Sequence, residues 1–195
     1  MKHFSIDMDE ALHILTSVIT ISFAFAIVWT GSTNFDATFL ATTGMILLTV
    51  GLGFILHELA HKYVAIKYGA YARYRAWTLG LLLSIVMAFL VGFVFAAPGA
   101  VYVYGNHINR EQNGKISLAG PLTNLILGLV FLAIGFAVPG LKQIASLGAG
   151  VNFFLGAFNM LPFFPMDGQK VYHWNKAIWL ATIIPLIVLA FVPLL

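Results

Sequence analysis

Cysteine is absent from this 195-residue chain, and charge is scarce: Asp, Glu, Lys and Arg together make up 9% of it. The first absence excludes disulfides and thiolate metal sites, so any bound metal must use nitrogen or oxygen ligands. The second excludes a protein that meets water on all sides, because a soluble globular domain carries about 25% charged residues. Internal repeats, low-complexity tracts and coiled-coil heptads are missing as well. What fills the chain is apolar: 61% hydrophobic residues, with a mean hydropathy of +0.94. A net charge of +3 does not point to nucleic acid, and with so few charges their placement matters more than their sum. This composition leaves room for one compact membrane domain, 1–195, with no appended soluble module. The N-terminal MKHFSIDMDE carries three acids before the first apolar stretch, and no small-residue cleavage site follows cleanly. The stretch from Ala11 to Thr30 therefore reads as an uncleaved first span.

A span needs roughly 20 apolar residues to cross about 30 Å of hydrocarbon. Six stretches qualify by hydropathy: 11–30, 38–61, 78–97, 116–138, 146–166 and 177–195. Helices are the default for each, because a helix satisfies its own backbone hydrogen bonds in lipid. The expected fold is an all-α polytopic membrane protein with about five to six transmembrane segments.

Only seven acids exist, and five of them lie in the N-terminal tail or in loops. The other two, Glu58 and Asp167, sit at the ends of long apolar runs. An ionisable group near the membrane interior costs about 2.5–3.5 kcal/mol on insertion scales, which makes each a candidate functional residue. Glu58 belongs to His57-Glu58-Leu59-Ala60-His61. Histidines at i and i+4 project from one helix face, one turn apart, so both imidazoles can bind a single Zn²⁺. The intervening Glu can then act as general base on the water that the metal activates.

Zinc hydrolases use three protein ligands and keep one position open. The remaining candidates are His3, His13, His107, His173, Asp167 and the loop acids. Asp167 is the best of these, because it ends an apolar run in the segment from Asn159 to Gly168 that contains Pro162 and Pro165. Prolines remove backbone donors and bend or end a helix, and Gly168 permits a sharp exit. Opened backbone at membrane depth survives only where it faces protein or a water-filled cavity. A hydrolytic site needs such a cavity.

His-Glu-x-x-His paired with a distant Asn-x-x-Pro-x-x-x-Leu-Asp-Gly resembles the site-2 protease family of intramembrane zinc metalloproteases. Here the second motif runs from Asn159 to Gly168, with Met166 where Leu is usual. A Gly-Pro near an Asn between the motifs, typical of that family, is present as Gly120-Pro121-Leu122-Thr123-Asn124. The resemblance covers roughly residues 40–175. It implies His57, His61 and Asp167 as ligands of one Zn²⁺ and Glu58 as the base. It also implies that Asn159 holds substrate backbone or stabilises the oxyanion, with Asn124 in a similar role.

The two motifs must meet, which constrains the crossings. His57 and Asp167 each lie about 20 residues into their apolar runs, so those runs must be parallel, with an odd number of complete crossings between them. Two apolar stretches intervene, so one must not cross. If 78–103 enters and returns on one side, with the N-terminus in the cytoplasm, nine of the ten basic residues lie inside and only Lys142 lies outside. If 78–97 crosses fully, the split becomes six against four. The positive-inside rule prefers the first arrangement. The stretch 78–103 is therefore expected to be re-entrant, returning through an extended piece at Ala97–Tyr104 that is rich in Val and Tyr after a Pro-Gly break. Such a strand could pair with an unwound substrate.

The function expected is hydrolysis of peptide bonds in transmembrane segments of other proteins, near the cytoplasmic face of a multi-pass cell-membrane protein of prokaryotic type. Its partners are transmembrane protein substrates and membrane lipid, not nucleic acid. A different class of function remains open, a membrane transporter or metal-handling protein using the His/Asp cluster as an ion site, although such a protein should show internal repeats. His13 is expected to be a buried hydrogen-bonded residue, and His107 and His173 solvated. Gly51 and Gly53 are expected at close helix contacts. Lys62, Lys67, Arg73 and Arg75 are expected to face cytoplasmic water and headgroups, and Trp77, Trp174 and Trp179 to mark span ends.

Overall fold

Asp7 and Asp36, two of the few acids, each begin a helix. In the computed structural model, which describes residues 4–31, 34–94, 98–105 and 108–192, the Asp7 carboxylate accepts from the Glu10 amide at 2.9 Å and opens α1 (Met8–Thr30). Asp36 does the same for the Phe39 amide at 2.9 Å, opening α2 (Ala37–Ile46). Each satisfies an amide that a helix start leaves without an intrahelical partner. α2 continues through a π-helical turn at Leu47–Gly51 into α3 (Leu52–Lys67). Strand β1 (Tyr71–Ala76), helix α4 (Thr78–Val91) and strand β2 (Gly99–Tyr104) follow. Asn109 and Gln112 then cap each other reciprocally at the start of α5 (Arg110–Ala137). The chain ends in α6 (Lys142–Asn159), α7 (Asp167–Trp174) and α8 (Lys176–Phe191).

Among the described residues, three helical stretches are long and apolar enough to cross a membrane: Met8–Thr30, Ala37–Lys67 and Arg110–Ala137. The other three expected spans come out differently. Stretches 78–97 and 177–195 form the shorter apolar helices α4 and α8. Stretch 146–166 is not continuous helix: α6 stops at Asn159, and residues 160–166 are irregular. Pro162 supplies the reason, since it has no amide to donate and disfavours helix at the residue before it.

The chain forms two compact units. One comprises Ser5–Ile55 and Arg73–Tyr102; the other comprises Met1–Phe4, Leu56–Ala72 and Val103–Leu195. In the first, α1 packs along α2 and α4 and lays a polar ladder on β1. Glu10 accepts from the Tyr74 amide at 2.9 Å, His13 Nδ1 accepts from the Ala76 amide at 3.2 Å, and the Tyr74 hydroxyl donates to Ser17 at 2.8 Å. His13 thus has the hydrogen bond expected of it, although it is half-buried and not buried. A Cβ on Gly51 would lie 2.9 Å from Val18, so this glycine does serve close helix packing. β1 pairs with β2 in a two-stranded antiparallel ribbon, so the stretch expected to be extended is a strand. The Trp77 amide donates to the Pro98 carbonyl at 2.9 Å, so the chain that leaves through α4 is back beside its point of departure by Pro98.

In the second unit α5 packs along α6 and α7, and α8 packs on α6, around Phe153, Met160, Val171 and Leu186. The α5–α6 approach is close: a Cβ on Gly128 would fall 2.3 Å from the Phe153 ring. Lys62 departs from expectation. It is only 2% exposed, with Nζ 5.3 Å from the centre of the Phe4 ring. Arg73, in the first unit, is held by Asp7 at 2.5 Å and Asp9 at 3.4 Å instead of reaching outward.

Candidate metal centre

One helical turn of α3 carries His57 and His61, and both rings are buried. Their Nε2 atoms lie 3.0 Å apart. Asp167, the first residue of α7, brings Oδ2 to 3.3 Å from His57 Nε2 and 3.0 Å from His61 Nε2. The three predicted ligand residues therefore converge, and they are the group among the described residues that could hold a metal ion. Asp167 opens α7 instead of closing the helix before it, as the sequence had suggested. Gly168 also works differently from expectation, because its φ is not positive. A Cβ there would lie 2.0 Å from the Met160 carbonyl oxygen, so glycine is what lets the start of α7 touch the end of α6 and bring Asp167 in.

The backs of both imidazoles are tied down. His61 Nδ1–H donates to the Ile116 carbonyl at 2.7 Å, and His57 Nδ1–H donates to Asn124 Oδ1 at 2.6 Å. With the proton on Nδ1, each Nε2 presents a lone pair. Two such lone pairs and a carboxylate oxygen meet within 3.3 Å with no hydrogen to share between the imidazoles. That repulsive arrangement calls for a cation. A tetrahedral ion with bonds of about 2.0–2.1 Å separates its ligands by roughly 3.3–3.4 Å, so the triangle fits Zn²⁺ after opening by a few tenths of an ångström. Two imidazoles and a carboxylate, with a fourth position open, is also the donor set of a catalytic zinc site. The wall is built to leave room: a Cβ on Gly120 would sit 2.5 Å from both Nε2 atoms.

Glu58 is buried with the two histidines. Asn159, at the end of α6, is partly exposed and donates from Nδ2 to the Leu155 carbonyl at 2.9 Å. Asn124 is fully buried beside His57: its Oδ1 faces His57 Nδ1 at 2.6 Å and its Nδ2 donates to Asn152 Oδ1 at 3.0 Å. Of the other histidines, His173 is exposed and bonded to the Gln169 carbonyl, while His3 and His107 lie outside the described residues. Reading the sequence missed Asn152 and the Ile116 carbonyl, and it named Gly120 only within the Gly-Pro pair, not for the space beside the imidazoles. Asn152 left a signal, as an amide in the middle of an apolar run. The Ile116 carbonyl left none, because it acts through its backbone.

Residues 45–145 match Peptidase family M50. A candidate zinc metalloprotease of Methanocaldococcus jannaschii is 43% identical over 190 residues, covering 96% of this chain and 95% of its own. A candidate zinc metalloprotease of Bacillus subtilis is 29% identical over 145 residues, 65% of this chain and 66% of its own. A second M. jannaschii protein, a zinc metalloprotease, is 30% identical over 121 residues, 60% of this chain and 30% of its own. No solved structure matches the chain.

Proposed function

We propose, since the chain belongs to peptidase family M50, that it is an intramembrane endopeptidase which cuts transmembrane segments of other proteins near the cytoplasmic face. The chain is a metallopeptidase, a hydrolase whose cofactor is Zn²⁺, and the resemblance to site-2 proteases read from its motifs holds. Membership of a peptidase family leaves the transporter reading without an observation in its favour. The single observation that carries the proposal is a hydrolytic donor set, His57, His61 and Asp167, in a chain with three helical stretches long and apolar enough to span a bilayer.

Bound there, Zn²⁺ supplies a Lewis acid that polarises a peptide carbonyl and lowers the pKa of water toward neutrality. The residues of the chain do the rest. His57, His61 and Asp167 hold the ion. Glu58 takes the proton from the attacking water and returns it to the leaving amine. Asn159 has a second amide N–H beyond the one bonded to Leu155, and offers it to the substrate carbonyl. Asn124 keeps His57 in the tautomer that the ion requires.

The return of the chain to Trp77 at Pro98 supports a re-entrant 78–103. α4, at 14 residues, rises only about 21 Å, short of the roughly 30 Å hydrocarbon core. With that segment re-entrant the chain is multi-pass and keeps its basic loops and its site toward the cytoplasm. The strand β2 is the element on which an unwound substrate would add.

The test is cleavage of a membrane-inserted substrate by detergent-purified, zinc-loaded protein, beside the Glu58→Gln variant. Cleavage by the first and capture of uncut substrate by the second are expected. If neither cuts nor traps any membrane protein, the proposal fails.

A further inference from the structure

His61 and His57 are oriented by unequal means. The His61 ring leans directly on a backbone carbonyl, that of Ile116. The His57 ring leans on Asn124, a side-chain amide whose two ends differ by one atom and which could turn over. Flipped, it would present Nδ2–H to His57, favour the opposite tautomer and aim an N–H at the metal position. Something must forbid the flip.

We propose that Asn152 is a positioning residue for the metal centre: through Asn124 it fixes the tautomer of His57. The proposal rests on His57 being a zinc ligand. Its argument is one of polarity along a chain of hydrogen bonds. Asn152 Nδ2 donates to the Gly148 carbonyl at 2.8 Å, one turn back on α6. A carbonyl only accepts, so the amide end of Asn152 is fixed toward Gly148 and its Oδ1 faces Asn124. Oδ1 only accepts as well, so Asn124 must donate from Nδ2, at 3.0 Å. That turns Asn124 Oδ1 to His57, where it accepts the Nδ1 proton at 2.6 Å. Each link sets the next. Both asparagines are fully buried, so water cannot stand in for a missing link. The direction set by one carbonyl on α6 is thus carried across α5 to a ligand on α3. The Nε2 lone pair of His57 is ready before an ion arrives.

The test compares Asn152→Leu with Asn152→Asp in the full-length, detergent-solubilised protein. Leucine removes the acceptor that faces Asn124. Aspartate keeps it in either protonation state, since an oxygen faces Asn124 whether the carboxyl is ionised or donates to Gly148. Two readouts are taken. Zinc affinity is measured by competition with a chromophoric chelator, and the tautomer of His57 by ¹⁵N chemical shifts of ring-labelled histidine in the metal-free protein. We expect Asn152→Leu to bind zinc about 10-fold more weakly, the low end of what loss of an outer partner costs, and to lose the pure Nδ1–H signature. Asn152→Asp should stay within about threefold of the parent and keep the signature. If Asn152→Leu unfolds, the aspartate variant still decides: a mixed tautomer there overturns the proposal. So does a leucine variant with a lower melting temperature but unchanged affinity and tautomer, for then Asn152 only fills the core. His57→Ala serves as reference, and zinc retained at parental affinity by it would overturn the ligand assignment itself.

Discussion

Glu58 follows His57 on α3 and is buried with both histidines, yet the ion would be held by its neighbours. Replacing it with glutamine preserves shape and removes basicity. Glu58→Gln is expected to keep one zinc per chain while kcat/KM falls by about 10²–10⁴-fold, the usual contribution of a general base. Metal analysis beside a cleavage assay checks this; parallel loss of zinc would make Glu58 a ligand. Gly120 offers a complementary test by addition. A methyl there would lie 2.5 Å from both Nε2 atoms, the atoms that would hold the ion. Gly120→Ala should therefore drop zinc content from one per chain to nearly none after dialysis. Zinc kept in full would mean the imidazoles move aside freely.

Helices meet at this centre because two backbones can touch. Gly168 puts the first turn of α7 against the last carbonyls of α6, and a Cβ would close to 2.0 Å from the Met160 oxygen. The obstacle is backbone, which cannot swing away as a side-chain tip can. Gly168→Ala should cost about 1–3 kcal/mol, as overpacking does, and loosen Asp167 from the histidines. A lower unfolding midpoint in SDS together with weaker zinc binding would show both effects; an unchanged midpoint would mean that α7 shifts without strain. The same element shows why Trp179 reaches to Met160. Its indole N–H donates to the Met160 carbonyl at 2.7 Å, at the point where α6 has ended and left that oxygen needing a partner.

At the scale of the whole molecule the question is how many times the chain crosses. Residue 98 returns to residue 77, and the parity of the two motifs requires such a return. Single cysteines at Arg75 and Gly105 should therefore label from one side of the membrane and a cysteine at Lys142 from the other. This background is clean, because the chain has no native cysteine. Labelling of position 105 from the outside would refute the re-entrant arrangement. The crossings were only partly legible beforehand. Hydropathy found where apolar residues run, but it does not know where a helix stops. Pro162 ended α6 before Asp167, and α4 ended at Val91 after 14 residues.

His57, Glu58, His61 and Asp167 were readable from spacing and scarcity, because a metal needs particular donor atoms and an apolar chain seldom carries acids. The sequence by itself therefore determined the chemistry, the metal and the solvent in which the chain works. Tertiary structure decided what surrounds the proposed ligands: the Ile116 carbonyl, the two asparagines behind His57, the missing Cβ of Gly120 and the seat of Asp167 on Gly168. Most of those contacts join residues dozens of positions apart. Distance through space, not order along the chain, sets which lone pair faces which proton.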